Sequence, residues 1–235
     1  MGQIKVKGIV ISENNMNDFD KMITILTPNG KIGCSAKGAR RTKSLLLAGT
    51  QFLCFSDFIL YKSNDIYTVN SCEMIEPFYN LRNDLDKLMV SAQMTKIISD
   101  VTTENQNTYN ILKLYLNTLY TLSEKEKDIN LVLAMFKFRL LKILGFSACV
   151  DKCVCCSEKE NLNYFSFKDN GFKCKSCAKQ DTGAFEMSEG TYKSIIYATK
   201  SDIKKIYSIT VPDNITNELE IISKIYLEEK LEKKY

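Results

Sequence analysis

The chain has 235 residues, of which 45% are hydrophobic and 26% are charged. This composition is typical of a globular protein and argues against a disordered or fibrous chain. The sequence contains no histidine, which excludes Ser-His-Asp and Cys-His nucleophiles, HExxH metalloproteases and every metal site that needs an imidazole ligand. Walker A and GxGxxG loops are also missing from the sequence. Catalysis is therefore the less favoured interpretation.

The sequence has no feature that predicts a membrane or a secretory destination. No apolar run approaches the roughly 18 residues that a membrane-spanning helix needs. The first seven residues, MGQIKVK, lack the apolar block of a secretion signal. We therefore expect a cytoplasmic protein with no membrane partner.

The positive charge of the chain is concentrated in one early segment. The net charge is only +4, which by itself does not point to nucleic acid. No acidic residue lies between Asp20 and Asp57, however, and this interval holds the cations Lys21, Lys31, Lys37, Arg40, Arg41 and Lys43. Such a segment favours an anionic partner.

Residues 1–78 have the pattern of five β-strands. The predicted strands lie around residues 4–11, 22–26, 31–36, 51–61 and 66–75, where β-branched and aromatic residues are frequent. Pro28-Asn29-Gly30 and Ser63-Asn64-Asp65 have the composition of turns. An open five-stranded antiparallel sheet would expose two edges, so we expect closure into an OB-like barrel.

After Glu76-Pro77 the apolar period changes from two to about 3.6, which predicts helices. Helical spacing occurs around residues 81–92, 109–119, 129–144, 188–199 and 213–233. Residues 129–144 are apolar on nearly every face, as in a helix buried inside a bundle, and Gly145 is placed to end it. The predicted fold class is α+β. An OB-fold domain, residues 1–78, precedes a helical domain, residues 79–235, into which a Cys-rich lobe, residues 149–181, is inserted.

The insertion contains two CxxC pairs, Cys153 with Cys156 and Cys174 with Cys177, separated by 17 residues. Each CxxC turn directs two thiolates at one point, and a gap of 15 to 20 residues lets the two turns meet. With Asn170-Gly171 as a turn, the gap is typical of a short hairpin. The pattern predicts a structural zinc site of four cysteines with one Zn²⁺ per chain.

Disulfide, redox and catalytic-metal roles are the alternatives for these cysteines. Disulfides are disfavoured because the chain is expected to be cytoplasmic and has an odd cysteine count, nine. Two matched pairs outside a βαβ pattern disfavour a redox CxxC, and four thiolates leave no open position for a catalytic water. Cys149 and Cys155 are spare thiols of unassigned role. Cys34, Cys54 and Cys72 lie on predicted strands and are expected to be small core residues.

The segment of residues 37–44, which we call the basic loop, has the sequence KGARRTKS. Cations, hydroxyl groups and amides exposed near a glycine are the groups that bind backbone phosphates. The candidate nucleic-acid-binding residues are Lys31, Lys37, Arg40, Arg41 and Lys43. A solvated surface loop is the plain alternative. An OB barrel also binds single strands through aromatic stacking platforms. Candidate platforms are Phe52, Phe55, Phe58, Tyr61 and Tyr67, although for each one a place in the core is favoured.

Several short motifs carry a resemblance over the full length of the chain. They are Lys7-Gly8-Ile9-Val10, Asp20-Lys21, Leu26-Thr27, Gly30-Lys31, Ala36-Lys37-Gly38-Ala39-Arg40, Leu60-Tyr61-Lys62, Ile75-Glu76-Pro77-Phe78 and Leu144-Gly145-Phe146. In this order, ahead of the two CxxC pairs, they make the chain resemble the RecO family of bacterial DNA repair proteins. Ser157 departs from the family, because many members have glycine there, and Cys149 and Cys155 add thiols that many members lack.

The resemblance implies a non-enzymatic recombination mediator. Members of the family bind single- and double-stranded DNA, anneal complementary strands, engage the C-terminal tail of the single-strand-binding protein SSB, and work with RecR to load RecA. It implies RecF as a further candidate partner and a nucleoid-associated location. It maps the basic surface of the family onto Lys37, Arg40, Arg41 and Lys43 and its zinc ligands onto the four cysteines of the CxxC pairs.

Two other functions stay open from the sequence. An OB-fold RNA-binding module with a structural zinc is one, because a barrel with a basic loop does not by itself distinguish DNA from RNA. A zinc enzyme is the other, and it would need a three-ligand site with a nearby carboxylate. The sequence shows no such cluster.

Overall fold

A computed structural model describes residues 2–63 and 66–235 of the chain. Its strands are β1 (Gly2–Met16), β2 (Asp20–Thr27), β3 (Gly30–Ala36), β4 (Phe55–Ser63), β5 (Ile66–Glu76), β6 (Tyr164–Ser166), β7 (Gly171–Lys173) and β8 (Phe185–Glu186). Its helices are α1 (Tyr79–Arg82), α2 (Leu85–Val101), α3 (Tyr109–Glu124), α4 (Ile129–Ile143), α5 (Lys175–Ala178), α6 (Glu189–Lys200) and α7 (Asp213–Leu231). The chain divides into two compact units, residues 1–113 and 114–235. The predicted domain limits stay a prediction.

The first five strands form a closed barrel in the order β1-β2-β3-β5-β4. β1 is long enough to pair with β4 through its first half and with β2 through its second half. A short parallel pairing of β3 with β5 completes the ring. Closure removes the unpaired edges that an open sheet would expose, and the α+β prediction with an N-terminal OB barrel is confirmed.

Two glycines sit where the barrel backbone approaches another segment. A Cβ on Gly8 would lie 2.4 Å from Ile25 Cγ2 and 2.7 Å from the Leu26 carbonyl oxygen. Gly30 ends the β2–β3 turn with a φ of +106°, and its Cβ would lie 2.5 Å from the Thr103 carbonyl oxygen. Only glycine fits both the positive φ and the close approach at residue 30.

The fourth strand is shorter than the sequence pattern predicts. The predicted strand begins at residue 51, but β4 begins at Phe55. Leu53 has a φ of +64°, and the Cys54 amide donates to the Gln51 carbonyl at 3.0 Å, so residues 51–54 turn instead of extending. Leu53 and Cys54 are fully buried and Phe52 is partly buried, which explains the strand-like composition. Residues 64 and 65 of the predicted turn lie outside the described residues.

The barrel core is aliphatic and extends into the connection between β3 and β4. It contains Val10, Ile23, Ile25, Phe58 and Leu60, and it is joined by Ala39 and Leu46 from that connection. Ala39 is fully buried although it stands in the middle of the basic loop. The predicted core role of Cys34 and Cys54 is confirmed, since both are buried, while Cys72 is partly buried.

The helices lie close to their predicted positions. Asp84 caps α2 by accepting from the Asp86 and Lys87 amides, and Asp128 caps α4 by accepting from the Leu131 amide at 2.7 Å. These caps satisfy amides that have no partner within a helix. In the part of the chain that the structure describes, no helix is long and apolar enough to cross a membrane.

Helix α4 is buried on all sides, as predicted from its apolar pattern. Every residue from Leu131 to Leu141 is buried, including Lys137 and Arg139. Burial lowers the pKa of Lys137 to about 8, against the opposing charge of Glu220. The Arg139 guanidinium donates to the carbonyl and hydroxyl of Ser201. Gly145, with a φ of +91°, follows the helix in the left-handed conformation that ends many helices.

The Cys-rich insertion carries a small sheet of its own, in the order β7-β6-β8. The predicted hairpin is confirmed, because β6 pairs with β7 across a turn that includes Asn170. Phe165 and Phe172 are fully buried. The Phe165 ring lies 5.1 Å from Tyr226 of α7 and the Phe172 ring lies 4.9 Å from Tyr192 of α6, centroid to centroid. The insertion therefore shares an aromatic core with two helices.

Candidate nucleic-acid interface and metal centre

The basic loop leaves the barrel directly after β3. Its inward residue, Ala39, packs in the barrel core, while the side chains of Lys37, Arg40, Arg41 and Lys43 are exposed. Consecutive turns shape the loop: the Arg41 amide donates to the Gly38 carbonyl at 3.1 Å and the Ser44 amide donates to the Arg41 carbonyl at 2.9 Å. One buried alanine thus anchors four outward cations.

The basic loop is hydrogen-bonded to the turn between β1 and β2, residues 17–19. The Gly38 amide donates to Asp20 Oδ1 at 2.7 Å, and the Arg40 amide donates to the Phe19 carbonyl at 3.0 Å. Arg40 Nη1 donates to the Asn17 carbonyl at 3.2 Å. We call residues 16–20 together with the basic loop the turn–loop surface. Its two halves hold each other in place.

The charge of the turn–loop surface is mainly positive. Within residues 2–63 and 66–235, none of Lys37, Arg40, Arg41 and Lys43 forms an ion pair. The surface also holds two acids, Asp18 and Asp20, of which Asp20 accepts the Gly38 amide. Unpaired exposed cations keep their charge available for an anion from solution.

An exposed aromatic ring lies within this surface, and sequence reasoning missed it. Phe19 is 49% exposed. The guanidinium carbon of Arg41 lies 5.2 Å from the centroid of its ring, within the range of a cation–π contact. A phenylalanine among Asn17, Asp18 and Asp20 was the available signal, because polar turns rarely need an aromatic side chain.

The predicted stacking platforms lie elsewhere on the barrel. Phe58 is fully buried in the core, which confirms the favoured interpretation for this ring and leaves it unable to stack on a base. Phe52, Phe55 and Tyr67 are partly buried, and Tyr61 is exposed. Lys62 Nζ lies 5.3 Å from the centroid of Tyr67. These rings belong to β4, β5 and the residues before them, away from the basic loop in sequence.

Lys31 is not brought together with the basic loop. It stands at the beginning of β3, whereas Lys37 follows its end, and six residues of extended chain span about 20 Å. Lys31 Nζ donates to the Ser99 carbonyl at 2.6 Å. Lys31 also lines a cavity of about 550 Å³ with Lys5, Lys62 and Tyr67. A role for Lys31 in binding nucleic acid stays a prediction.

The structure brings the four predicted metal ligands together. The sulfur atoms of Cys153, Cys156, Cys174 and Cys177 all lie within 4.8 Å of one another. The sulfurs of Cys156 and Cys174 are 3.7 Å apart. A tetrahedral zinc with bonds of about 2.3 Å would place its sulfur ligands about 3.8 Å apart. The donor set fits a structural metal bound by four thiolates.

The local backbone explains how each cysteine pair is presented. The Cys153 amide donates to the Glu158 carbonyl at 2.6 Å and the Ser157 amide donates to the Cys153 carbonyl at 3.0 Å, which closes the first turn. Ser157 has a φ of +64°, a conformation that favours glycine. Cys174 precedes α5 as its N-cap residue, and Cys177 lies within that helix.

The balance of hydrogen bonds and burial in the cluster favours the thiolate form of Cys153 and disfavours the thiolate forms of Cys156 and Cys177. Burial raises the pKa of Cys153, but hydrogen bonds from the backbone of Cys156, Cys174 and Cys155 outweigh it and lower the pKa to about 6. The pKa of Cys177 is raised well above its ordinary value by side-chain hydrogen bonds with Cys174 and Cys156 and by burial. A divalent cation would remove the repulsion between neighbouring thiolates.

The buried Lys173, next to the second cysteine pair in sequence, forms an ion cluster with two aspartates. Lys173 Nζ contacts Asp169 and lies 2.8 Å from Asp181 Oδ2. Burial lowers the pKa of Lys173, but hydrogen bonds and charge from the two aspartates more than offset it and raise the pKa above its ordinary range. Sequence reasoning missed this cluster, because Lys173 reads as one of several surface lysines.

The spare thiols take no part in the four-sulfur cluster. Cys149 Sγ lies 3.8 Å from the Lys152 carbonyl, and Cys155 is exposed. Among the described residues, the only group of three or more potential ligands with this geometry is the set of two CxxC pairs. The geometry therefore selects the same four cysteines as the sequence spacing.

The chain combines a closed five-stranded barrel, which carries a cationic turn–loop surface, with a second unit of helices, which carries a cluster of four thiols. These two features define a class of proteins built from a barrel and helices. Comparison with known proteins identifies the family. Residues 1–78 match the family model described as Recombination protein O N terminal, and residues 82–235 match Recombination protein O C terminal.

Curated relatives agree along the whole chain. The DNA repair protein RecO of Acetivibrio thermocellus is 44% identical over 100% of this chain and 94% of its own length. Those of Alkaliphilus metalliredigens and Caldicellulosiruptor bescii are each 33% identical, covering 95% and 99% of this chain and 92% and 95% of their own lengths. The chain belongs to the RecO family of DNA repair proteins, and this membership supports a role in DNA repair and recombination.

Proposed function

We propose that the chain is a non-enzymatic mediator of DNA repair and recombination that binds DNA through its barrel domain, residues 1–78, and anneals complementary strands. The observation that carries the proposal is the turn–loop surface. It holds four exposed cations, Lys37, Arg40, Arg41 and Lys43, that have no ion pair among the described residues. Three hydrogen bonds join its two halves, the β1–β2 turn and the basic loop.

Phosphate binding accounts for annealing without a catalytic residue. Two complementary strands repel each other because both are polyanions. A protein that neutralises phosphates on both strands lowers this repulsion and releases counterions, while base pairing supplies the sequence specificity. Single- and double-stranded DNA both expose phosphates, so a phosphate-binding surface accepts both forms.

The proposed partners follow the family. We propose that the chain works in the cytoplasm at the nucleoid, that it engages the C-terminal tail of SSB, and that it acts with RecR to load RecA, with RecF as a further candidate. We assign binding of the SSB tail to the helical domain, residues 79–235, as the resemblance to the family implies. The barrel surface remains available for DNA in this arrangement.

The proposed cofactor is one structural Zn²⁺ per chain, held by the four cysteines of the CxxC pairs. Sulfur separations within 4.8 Å and a complete set of four thiols support it. When bound, the ion supplies cross-linking of the two cysteine turns and charge compensation for their thiolates. The residues around it set the shape of the lobe. Lys173 with its aspartates cross-links the lobe internally, and the two phenylalanines pack against α6 and α7.

A salt titration tests the proposed interface. The double variant Arg40→Ala/Arg41→Ala should bind a single-stranded oligonucleotide more weakly. Its slope of log affinity against log salt should fall in magnitude by about 1.4, because each lost phosphate contact on a single strand contributes about 0.7. The matched control is Lys204→Ala/Lys205→Ala, which removes two adjacent exposed cations of the helical domain. A slope equal to that of the unmodified chain would overturn the assignment of the basic loop, and a preference for matched RNA would favour the RNA-binding alternative.

A further inference from the structure

The ring of Phe19 is an apolar feature at the centre of a phosphate-binding surface. It lies in a turn between polar residues, it is 49% exposed, and its backbone carbonyl accepts the Arg40 amide at 3.0 Å. Met16 beside it is also exposed. Burial of an aromatic side chain stabilises a fold, yet about half of Phe19 stays in contact with solvent.

The position of the ring is fixed from two sides. Asn17 takes a left-handed φ of 49° to make the turn, and Arg40 Nη1 donates to the Asn17 carbonyl at 3.2 Å. The Arg41 guanidinium lies over the ring, with 5.2 Å between its central carbon and the ring centroid. Even with Arg41 over the ring, Phe19 remains 49% exposed, so part of the side chain stays accessible to a ligand.

We propose that Phe19 is a stacking platform for an unpaired base of single-stranded DNA, and that it makes the turn–loop surface prefer single strands over duplex. This inference rests on the proposed function. The occupant is indicated by charge and shape together: the cations around Phe19 attract a polyanion, and among polyanions a single-stranded nucleic acid also offers flat, unpaired π-faces. Stacking on an aromatic ring tolerates every base, as a mediator without sequence preference requires.

The preference for single strands follows from the accessibility of the bases. In a duplex each base is stacked between its neighbours, and bringing one out costs a few kcal/mol. Phosphate contacts from Arg40, Arg41 and the lysines survive pairing, whereas a stack on Phe19 does not. A strand held by both contacts therefore loses one of them when it pairs, so the annealed product binds more weakly than the substrate and leaves the surface.

The test compares two variants with two oligonucleotides of equal charge. Phe19→Leu keeps an apolar side chain and removes the π-face. The probes are an oligothymidylate and an abasic strand of the same length, which has the same phosphates and no bases. Phe19→Leu should bind the oligothymidylate about tenfold more weakly, since a stacked base contributes about 1–3 kcal/mol. It should bind the abasic strand and a duplex as the unmodified chain does, with an unchanged salt slope.

A second variant gives a direct signal that does not depend on an affinity loss. The chain contains no tryptophan, so Phe19→Trp places a single indole in the proposed stack. Its fluorescence should be quenched on saturation with oligothymidylate and not with the abasic strand.

The matched control for Phe19→Leu is Tyr79→Leu. Tyr79 is also exposed, at 54%, and has an arginine 5.6 Å from its ring centroid, but it lies outside the turn–loop surface.

The outcomes separate this inference from the proposed function. Unchanged oligothymidylate binding by Phe19→Leu, or unquenched Phe19→Trp at saturation, would overturn the stacking platform while DNA binding stands. Equal losses for Phe19→Leu and Tyr79→Leu would also overturn it, because the effect would then not be specific to this ring. If the unmodified chain bound none of the probes in dilute buffer, the proposed function itself would fail.

Discussion

Asn17 and Gly38 are the two residues whose backbone lets the halves of the turn–loop surface meet. Both have a positive φ, 49° and 65°, and asparagine and glycine are the residue types that adopt this conformation at least cost. Gly38 then directs its amide to Asp20. The same principle applies at Ser157, where a φ of +64° is a conformation that glycine adopts at less cost than serine.

A further residue-scale contact joins two helices and depends on pH. Glu218 of α7 accepts from the Ser188 amide at 2.9 Å and from its hydroxyl at 3.0 Å, where Ser188 caps α6. Partial burial raises the pKa of Glu218, but hydrogen bonds from Thr191 and Ser188 outweigh it, and the pKa lies below its ordinary value. The contact should therefore stabilise the fold above the unfolded pKa and lose its effect as the pH falls through the lower folded pKa.

We predict that Glu218→Gln lowers the free energy of unfolding by on the order of 1 kcal/mol at pH 7. The difference should shrink in acid, because the unmodified Glu218 is then protonated and uncharged as well. Urea unfolding at pH 7 and at pH 3 measures both values. Glu126→Gln, at an exposed position, should differ little from the unmodified chain at either pH. An equal deficit for Glu218→Gln at both pH values would contradict the role of its charge.

At the scale of elements, the sequence predicts those features that depend on neighbours along the chain. Strand alternation, the helical period and the Pro28-Asn29-Gly30 turn are local, so their elements were predicted. The CxxC spacing is also local, since each turn alone aims two sulfurs. The early start of the fourth predicted strand was wrong because residues 52–54 are apolar for tertiary reasons: Leu53 and Cys54 are buried in a turn, outside any strand.

Features that depend on distant parts of the chain were not predictable. The place of Phe19 in the turn–loop surface depends on its contact with Arg41, which lies more than twenty residues away in sequence. Lys173 is buried only because Asp169 and Asp181 meet it in the folded lobe. Likewise, the aromatic core that the insertion shares with α6 and α7 forms from residues that are distant in sequence.

The metal-binding element gives a prediction with a built-in control. Cys174→Ser should abolish stoichiometric zinc binding and lower the melting temperature, because three thiolates no longer close the tetrahedral site. Cys155→Ser should keep one zinc per chain, since Cys155 is exposed and outside the cluster. Metal analysis of the purified proteins and thermal unfolding measure the two effects. Full zinc content in Cys174→Ser, or its loss in Cys155→Ser, would contradict the ligand assignment.

In the whole molecule, the barrel and the helical domain have different proposed roles. The barrel carries the exposed cations and the Phe19 ring, which suits it to hold a strand by its phosphates and by one unpaired base. The helical domain carries the cluster of four thiols. The Zn²⁺ proposed for this cluster would have no open coordination position, so its proposed role is to hold the shape of the lobe. Strand annealing requires only the barrel, and the proposed binding of the SSB tail is assigned to the helical domain.

The central claim is that this chain brings complementary DNA strands together by neutralising their phosphates. The most direct measurement is a fluorescence annealing assay with SSB-coated complementary strands, in the absence of any nucleotide. The account predicts that the unmodified chain accelerates duplex formation, that Arg40→Ala/Arg41→Ala largely loses this acceleration, and that Lys204→Ala/Lys205→Ala retains it. Duplex formation at the same rate with and without the protein, or acceleration that requires ATP, would contradict the account.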